Sequence, residues 1–101
     1  MKLFKVAEGN RDLWVAVLIS ERMYVYVDNT GRFHQNAAVS EDYLEDQRLK
    51  YEPIGVSQAQ ALIDQHVGLG DEAKVRDQLD RYRADPDSLA VDTVFAQITG
   101  S

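Results

Sequence analysis

Two histidines are the side chains in this chain most suited to proton transfer near neutral pH. His34 follows a turn-forming stretch that begins at Asp28, so a carboxylate could orient the imidazole as a general base or metal ligand. Against that, one histidine in a polar strand is expected to be an exposed residue with an ordinary pKa. His66 lies two residues after Asp64. Side chains at i and i+2 of a helix do not face each other, so this pair cannot chelate one ion. His66 is expected instead to interact with the last carbonyls of a helix that stops near Gly68.

Carboxylates supply the other pattern. Glu41 and Glu45, and Asp42 and Asp46, stand at i, i+4. Like charges at that spacing repel by a few tenths of a kcal/mol. Asp42 and Asp46 could hold a divalent cation, yet the alternating oxygen ligands and central glycine of a calcium loop are missing. An exposed helix also lacks the apolar pocket that raises one carboxyl pKa for acid–base work. The four acids therefore read as a solvated face or as a docking ridge for a basic partner. Tyr24 and Tyr26 form a second candidate contact patch, since tyrosine offers a rigid apolar body with a polar tip. The competing expectation is that helices cover this face.

Other chemistries are excluded by what is missing. The chain has no cysteine, hence no disulfide, thiolate ligand or cysteine nucleophile. Gly68-Leu69-Gly70 fits neither dinucleotide nor P-loop spacing, and no G-x-S-x-G elbow occurs. No metal, cofactor or catalytic residue is expected.

These residues must be positioned by elements of two kinds. Residues 2–7 alternate and predict an edge strand; 8–12 predict a turn. Leu13–Ile19 is a continuous apolar run, as in a strand covered on both faces. Met23–Val27 alternates, with Met23, Val25 and Val27 on one face and the two tyrosines on the other. Asp28-Asn29-Thr30-Gly31 predicts the turn of a hairpin returning through Arg32–Gln35. After residue 39 the period changes. Ser40, followed by Glu41 and Asp42, predicts a helix start with Val39 and Leu44 as a staple, running to about Arg48. Leu49–Glu52 predicts a short strand ended by Pro53. Ser57 with Gln60 suggests a capping box for a second helix, with Ala59, Leu62, Ile63 and Val67 as its stripe. Asp71 is expected to cap a third helix to Arg83, and a last helix turns Val94, Phe95 and Ile98 inward. The whole reads as one α+β domain: a β-meander of three to four strands over residues 1–36, then three to four short helices over 40–99 packed on the sheet. Its core is expected from Trp14, Val15, Val17, Leu18, Val25, Val27, Leu62, Ile63, Val75, Leu79 and Phe95.

Charge follows the same division. Residues 1–39 carry five basic and four acidic side chains, and residues 40–101 six and thirteen, so the net −6 arises from the second half. A pI near 4.7 argues against direct nucleic-acid binding and against an anionic membrane surface. Residues 1–8 lack the apolar stretch of a secretory leader, and the 13–19 run is too short to span a bilayer. The expectation is a cytoplasmic, non-enzymatic interaction module. It would bind a basic protein through its acidic helical half, as an inhibitor, immunity, antitoxin-like or phage-type regulator does. The alternative is a small-ligand domain with a pocket between sheet and helices, lined by Tyr24, Tyr26 and His34.

Overall fold

Four strands open the chain: β1 (Lys2–Glu8), β2 (Arg11–Ile19), β3 (Arg22–Val27) and β4 (Arg32–Gln35), each antiparallel to the next. The computed structural model describes residues 1–99. The Gly9-Asn10 turn joins the first pair. Ser20-Glu21 joins the second, both residues in the left-handed region at φ 49° and 66°. That is the backbone of the tight primed hairpin turn, formed here without glycine. At the third turn the N–H groups of Thr30 and Gly31 both donate to the Val27 carbonyl, and Gly31 takes φ 69°.

Two strands from the second half complete the sheet. β5 (Lys50–Pro53) pairs with β1, and the two-residue β6 (Leu89–Ala90) pairs with β4, giving the order β5-β1-β2-β3-β4-β6. The expected edge strand 2–7 is thus internal. Its free edge is taken by β5, which is more than 40 residues away and invisible to local alternation.

The strand alternation yields two apolar faces. One carries Phe4, Val6, Ala16, Met23, Val25 and Val27, packed with Val39 and Leu79. The other carries Leu3, Val15, Val17, Tyr26 and Phe33, packed with Ala59 and Val94. Burial of this order, at roughly 1.5–3 kcal/mol per large side chain, is what offsets chain entropy. All eleven expected core residues lie in one of these two clusters; Trp14, Leu18, Leu62, Ile63, Val75 and Phe95 are only partly buried.

Helices cover both faces. On the second face lie α2 (Val56–Asp64) and α4 (Val91–Thr99), which contact each other. On the first lie α1 (Ala37–Glu41), which runs on as a π-helical turn over Asp42–Asp46, and α3 (Arg76–Arg83). Three expected starts are corrected. The first helix is capped by Asn36, whose Oδ1 accepts from the Val39 N–H at 3.0 Å. Ser40 instead accepts the Met23 N–H at 2.9 Å, tying α1 to β3. The second is entered through Gly55, whose N–H donates to Gln58 Oε1 at 3.1 Å, while Ser57 is exposed. The third begins at Arg76, because Asp71 closes only a local turn to Ala73, Lys74 and Val75.

Candidate functional site

The first face of the sheet is covered by short pieces, and they leave a groove of about 740 Å³ between the start of β2, the 65–71 loop and α3. Its floor and walls include Trp14, Val27, Leu79 and Tyr82. The loop is held in place by several polar contacts. Asn29 accepts from the Gly70 N–H at 2.8 Å and donates to the Gly70 carbonyl at 3.0 Å. His66 Nδ1 lies 3.0 Å from Asp28 Oδ2, and the Tyr26 hydroxyl donates to Asp28 Oδ1 at 3.2 Å. Burial, reinforced by this carboxylate, pushes the Tyr26 hydroxyl up to about 12. Gly68 has φ 96°, and a Cβ there would sit 2.5 Å from the Tyr26 carbonyl oxygen and 3.6 Å from Trp14 Cδ1, so glycine alone fits. His66, at φ 62°, adopts a left-handed backbone uncommon for a non-glycine residue.

Both histidine expectations are corrected here. His66 reaches the Asp28 carboxylate and does not turn back to helix carbonyls. His34 is 1% exposed, the one buried polar side chain among the described residues. It lies on the first face because β4 pairs Val25 with His34. Its Nε2 is 2.7 Å from Thr30 Oγ1, its Nδ1 is 3.1 Å from Asp85 Oδ2, and its ring stacks on Tyr82 at 4.5 Å. Burial holds its pKa below the usual histidine value, with Asp85 acting in the opposite sense. An ionised Asp85 only accepts, so Nδ1 carries the proton of the neutral ring and Nε2 accepts from Thr30. This is the hydroxyl–imidazole–carboxylate order of a nucleophilic relay. Its setting is structural, however. The ring is sealed, and Thr30 Oγ1 also lies within reach of the Val27 carbonyl and accepts the Arg32 N–H. The relay ties the β3–β4 turn to the segment that follows α3. Asp85, not the expected Asp28, is the orienting carboxylate. His34 and Asp85 are 51 positions apart, and no local pattern joins them.

The acidic ridge is divided by the fold. Glu41, Glu45 and Asp46 are exposed. Asp42 is turned inward: it accepts from the N–H groups of Arg48 and Leu49, both at 3.1 Å, and from the Tyr51 hydroxyl at 2.6 Å. The Tyr51 contact first, and then the backbone donors, keep its carboxyl below the ordinary range. Leu44, expected as a staple, is 53% exposed among these acids. The turn that presents it rests on Tyr43, whose ring centroid is 5.5 Å from Phe4 and 5.0 Å from Tyr51. Of the tyrosine patch, Tyr26 is buried at 5% and packs on Phe33, while Tyr24 is half-buried against the cluster under α2 and α4. A ligand pocket lined by Tyr24, Tyr26 and His34 does not form: the tyrosines lie on the opposite face from His34, and two of the three side chains are core.

Among the described residues, no three His, Asp or Glu side chains converge as metal ligands would, and no helix is long and apolar enough to cross a membrane. No family model matches the chain, nor does any curated protein or solved structure.

Proposed function

We propose that the chain is a small acidic interaction module, an inhibitor- or immunity-type factor acting in the cytoplasm. It docks a basic protein at residues 41–46. The observation that carries the reading is Leu44, 53% exposed between Glu41 and Glu45 on a π-helical turn. Single π-turns are rare and are frequent at functional sites. Here Asp42 and the Phe4–Tyr43–Tyr51 ring cluster fix the turn before any partner arrives, which lowers the ordering cost of binding. An apolar anchor with a charged rim is the usual anatomy of a contact patch.

A photo-crosslinking side chain at position 44 identifies the molecule seated there in native extract. The purified partner is then titrated against the parent and a Glu45→Lys/Asp46→Lys variant. The variant should keep or slightly raise the melting temperature, since a repulsive i, i+4 pair is relieved. Its association should slow about tenfold at low salt, with the gap closing at high salt. An unchanged on-rate would leave the ridge a solvated surface.

A second reading, a small-ligand domain, is favoured by one observation: the groove beneath the 65–71 loop, at about 740 Å³, lies within the size range of ligand sites.

A further inference from the structure

We infer that this groove, taken as the ligand site of the second reading, selects a planar ring that carries an anionic group. Its lining balances in formal charge, Arg11 and Lys74 against Asp12 and Asp71, but among the described residues the two cations are the members left without an ion pair. Arg11 and Lys74 line it, both exposed, and neither has a carboxylate within ion-pair distance among the described residues. The acids beside them are already engaged. Asp12 faces Lys5 at 3.6 Å, and Asp71 accepts the Ala73 N–H at 3.0 Å. Asp28, behind the loop, is committed to His66 and Tyr26. Glu8 opposes Arg11 in the strand register without closing to an ion pair. In a chain of net charge −6, two uncommitted cations at one concavity are a local feature. Screening over about 8–10 Å removes the pull of the remote acids, so an anion is held here by direct contact with the two cations.

The apolar part of the site calls for a flat ring. Trp14 is half-buried, so part of its indole faces the groove, and no hydrogen bond of its N–H is formed among the described residues. Tyr82 lies across the groove with its face already stacked on His34 and its hydroxyl accepting from Asn36 and Gln78, both through side-chain amides. Tyr82 is therefore a fixed wall, and Trp14 is the open stacking surface with a spare donor at its edge. The wall above Trp14 is equally fixed, because the Gly68 carbonyl accepts the Asp28 N–H and His66, in the left-handed region, reaches the Asp28 carboxylate. A pre-built cleft with one ring surface and two cations fits a nucleotide or an aryl carboxylate. The shared chemistry is the planar ring and the anion.

Trp14 is the sole tryptophan, so its indole N–H gives one proton–nitrogen NMR signal that reports the groove directly. Titration with adenosine monophosphate and adenosine, and with indole-3-acetate and indole-3-acetamide, separates the two sources and tests the charge. At least one anion should shift the signal saturably with Kd tighter than about 1 mM. Its neutral counterpart should bind at least about fivefold more weakly, and Lys74→Glu or Arg11→Glu should weaken the anion about tenfold. Arg22→Glu, exposed at the far end of β3, makes the same change in net charge and should have no effect. If neutral and charged probes bind alike, or Arg22→Glu acts as strongly as Lys74→Glu, the anion selection is wrong while the groove still binds ligands. If no probe moves the signal at millimolar concentration, the ligand reading falls with it.

Discussion

The two faces of the sheet are covered in different ways. Beneath α2 and α4 the contact is apolar throughout: Val15, Val17, Phe33, Ala59 and Val94 form a seam with little side-chain hydrogen bonding. On the other face lie α1 and the π-turn, of five residues each, and α3, and together they leave part of the sheet open. They are located by polar contacts: Ser40 to Met23, Asn36 to Tyr82, Asp42 to Tyr51 and His34 to Asp85. Apolar contact is non-directional and rewards area, so it suits two helices with broad stripes. Hydrogen bonds are directional and costly to leave unmade, so they fix short segments that bury little. The polar face carries both the open groove and the exposed ridge.

The sharpest way to break this comparison is to cut into the apolar seam. Phe33→Ala removes a fully buried ring and should cost about 3–5 kcal/mol in urea unfolding. A loss under about 1 kcal/mol would mean that the seam yields as easily as the polar face does. Asn36→Ala tests the other side. It deletes the cap of α1 and the donor to Tyr82, and should cost about 2 kcal/mol. It should also broaden the Trp14 and Tyr82 signals near the groove while leaving those of Phe95 sharp. Uniform broadening would show that the two covers are not independent.

The smallest effect is a pH slope. Burial keeps the folded-state pKa of His34 below its unfolded value near 6.5. Between those two values the unfolded chain binds more protons, so stability is full above about pH 6.5 and declines as pH falls toward the folded pKa. His34→Gln should flatten the fall in melting temperature between pH 7 and 5.5. Asp42, whose carboxyl is also depressed, contributes its own loss only at lower pH, below the ordinary aspartate range. An unchanged slope in the His34 variant would mean that other groups set it.

Much of the fold was legible along the chain. Alternation placed Met23, Val25 and Val27 opposite Tyr24 and Tyr26, and the Asp28–Gly31 turn followed from residue type. Ala59, Leu62 and Ile63 of the expected α2 stripe and all eleven expected core residues follow from the same periodicities, whereas α2 ends at Asp64 and leaves Val67 in the turn beyond it. The caps were less legible: Ser40 and Ser57 have the right chemistry for a helix start, but Asn36 and Gly55 hold those positions. Whether a hydroxyl caps its own helix or bonds a neighbouring strand depends on what lies beside it.

The sequence by itself determined the α+β order of elements, the two apolar periods, the absence of thiol chemistry and the concentration of negative charge after residue 39. Each of these is a local or additive property of residue type. Tertiary structure alone decided that β1 is internal, that His34 is buried against Asp85 and Tyr82, that Asp42 turns away from its acidic neighbours, and that Arg11 and Lys74 meet at one groove. Those pairings join positions about 10 to more than 60 residues apart. Loop closure costs little more for a long separation than for a moderate one, so many such pairings were open to the chain. The choice among them was made by the global burial of the two sheet faces, which no local stretch of sequence encodes.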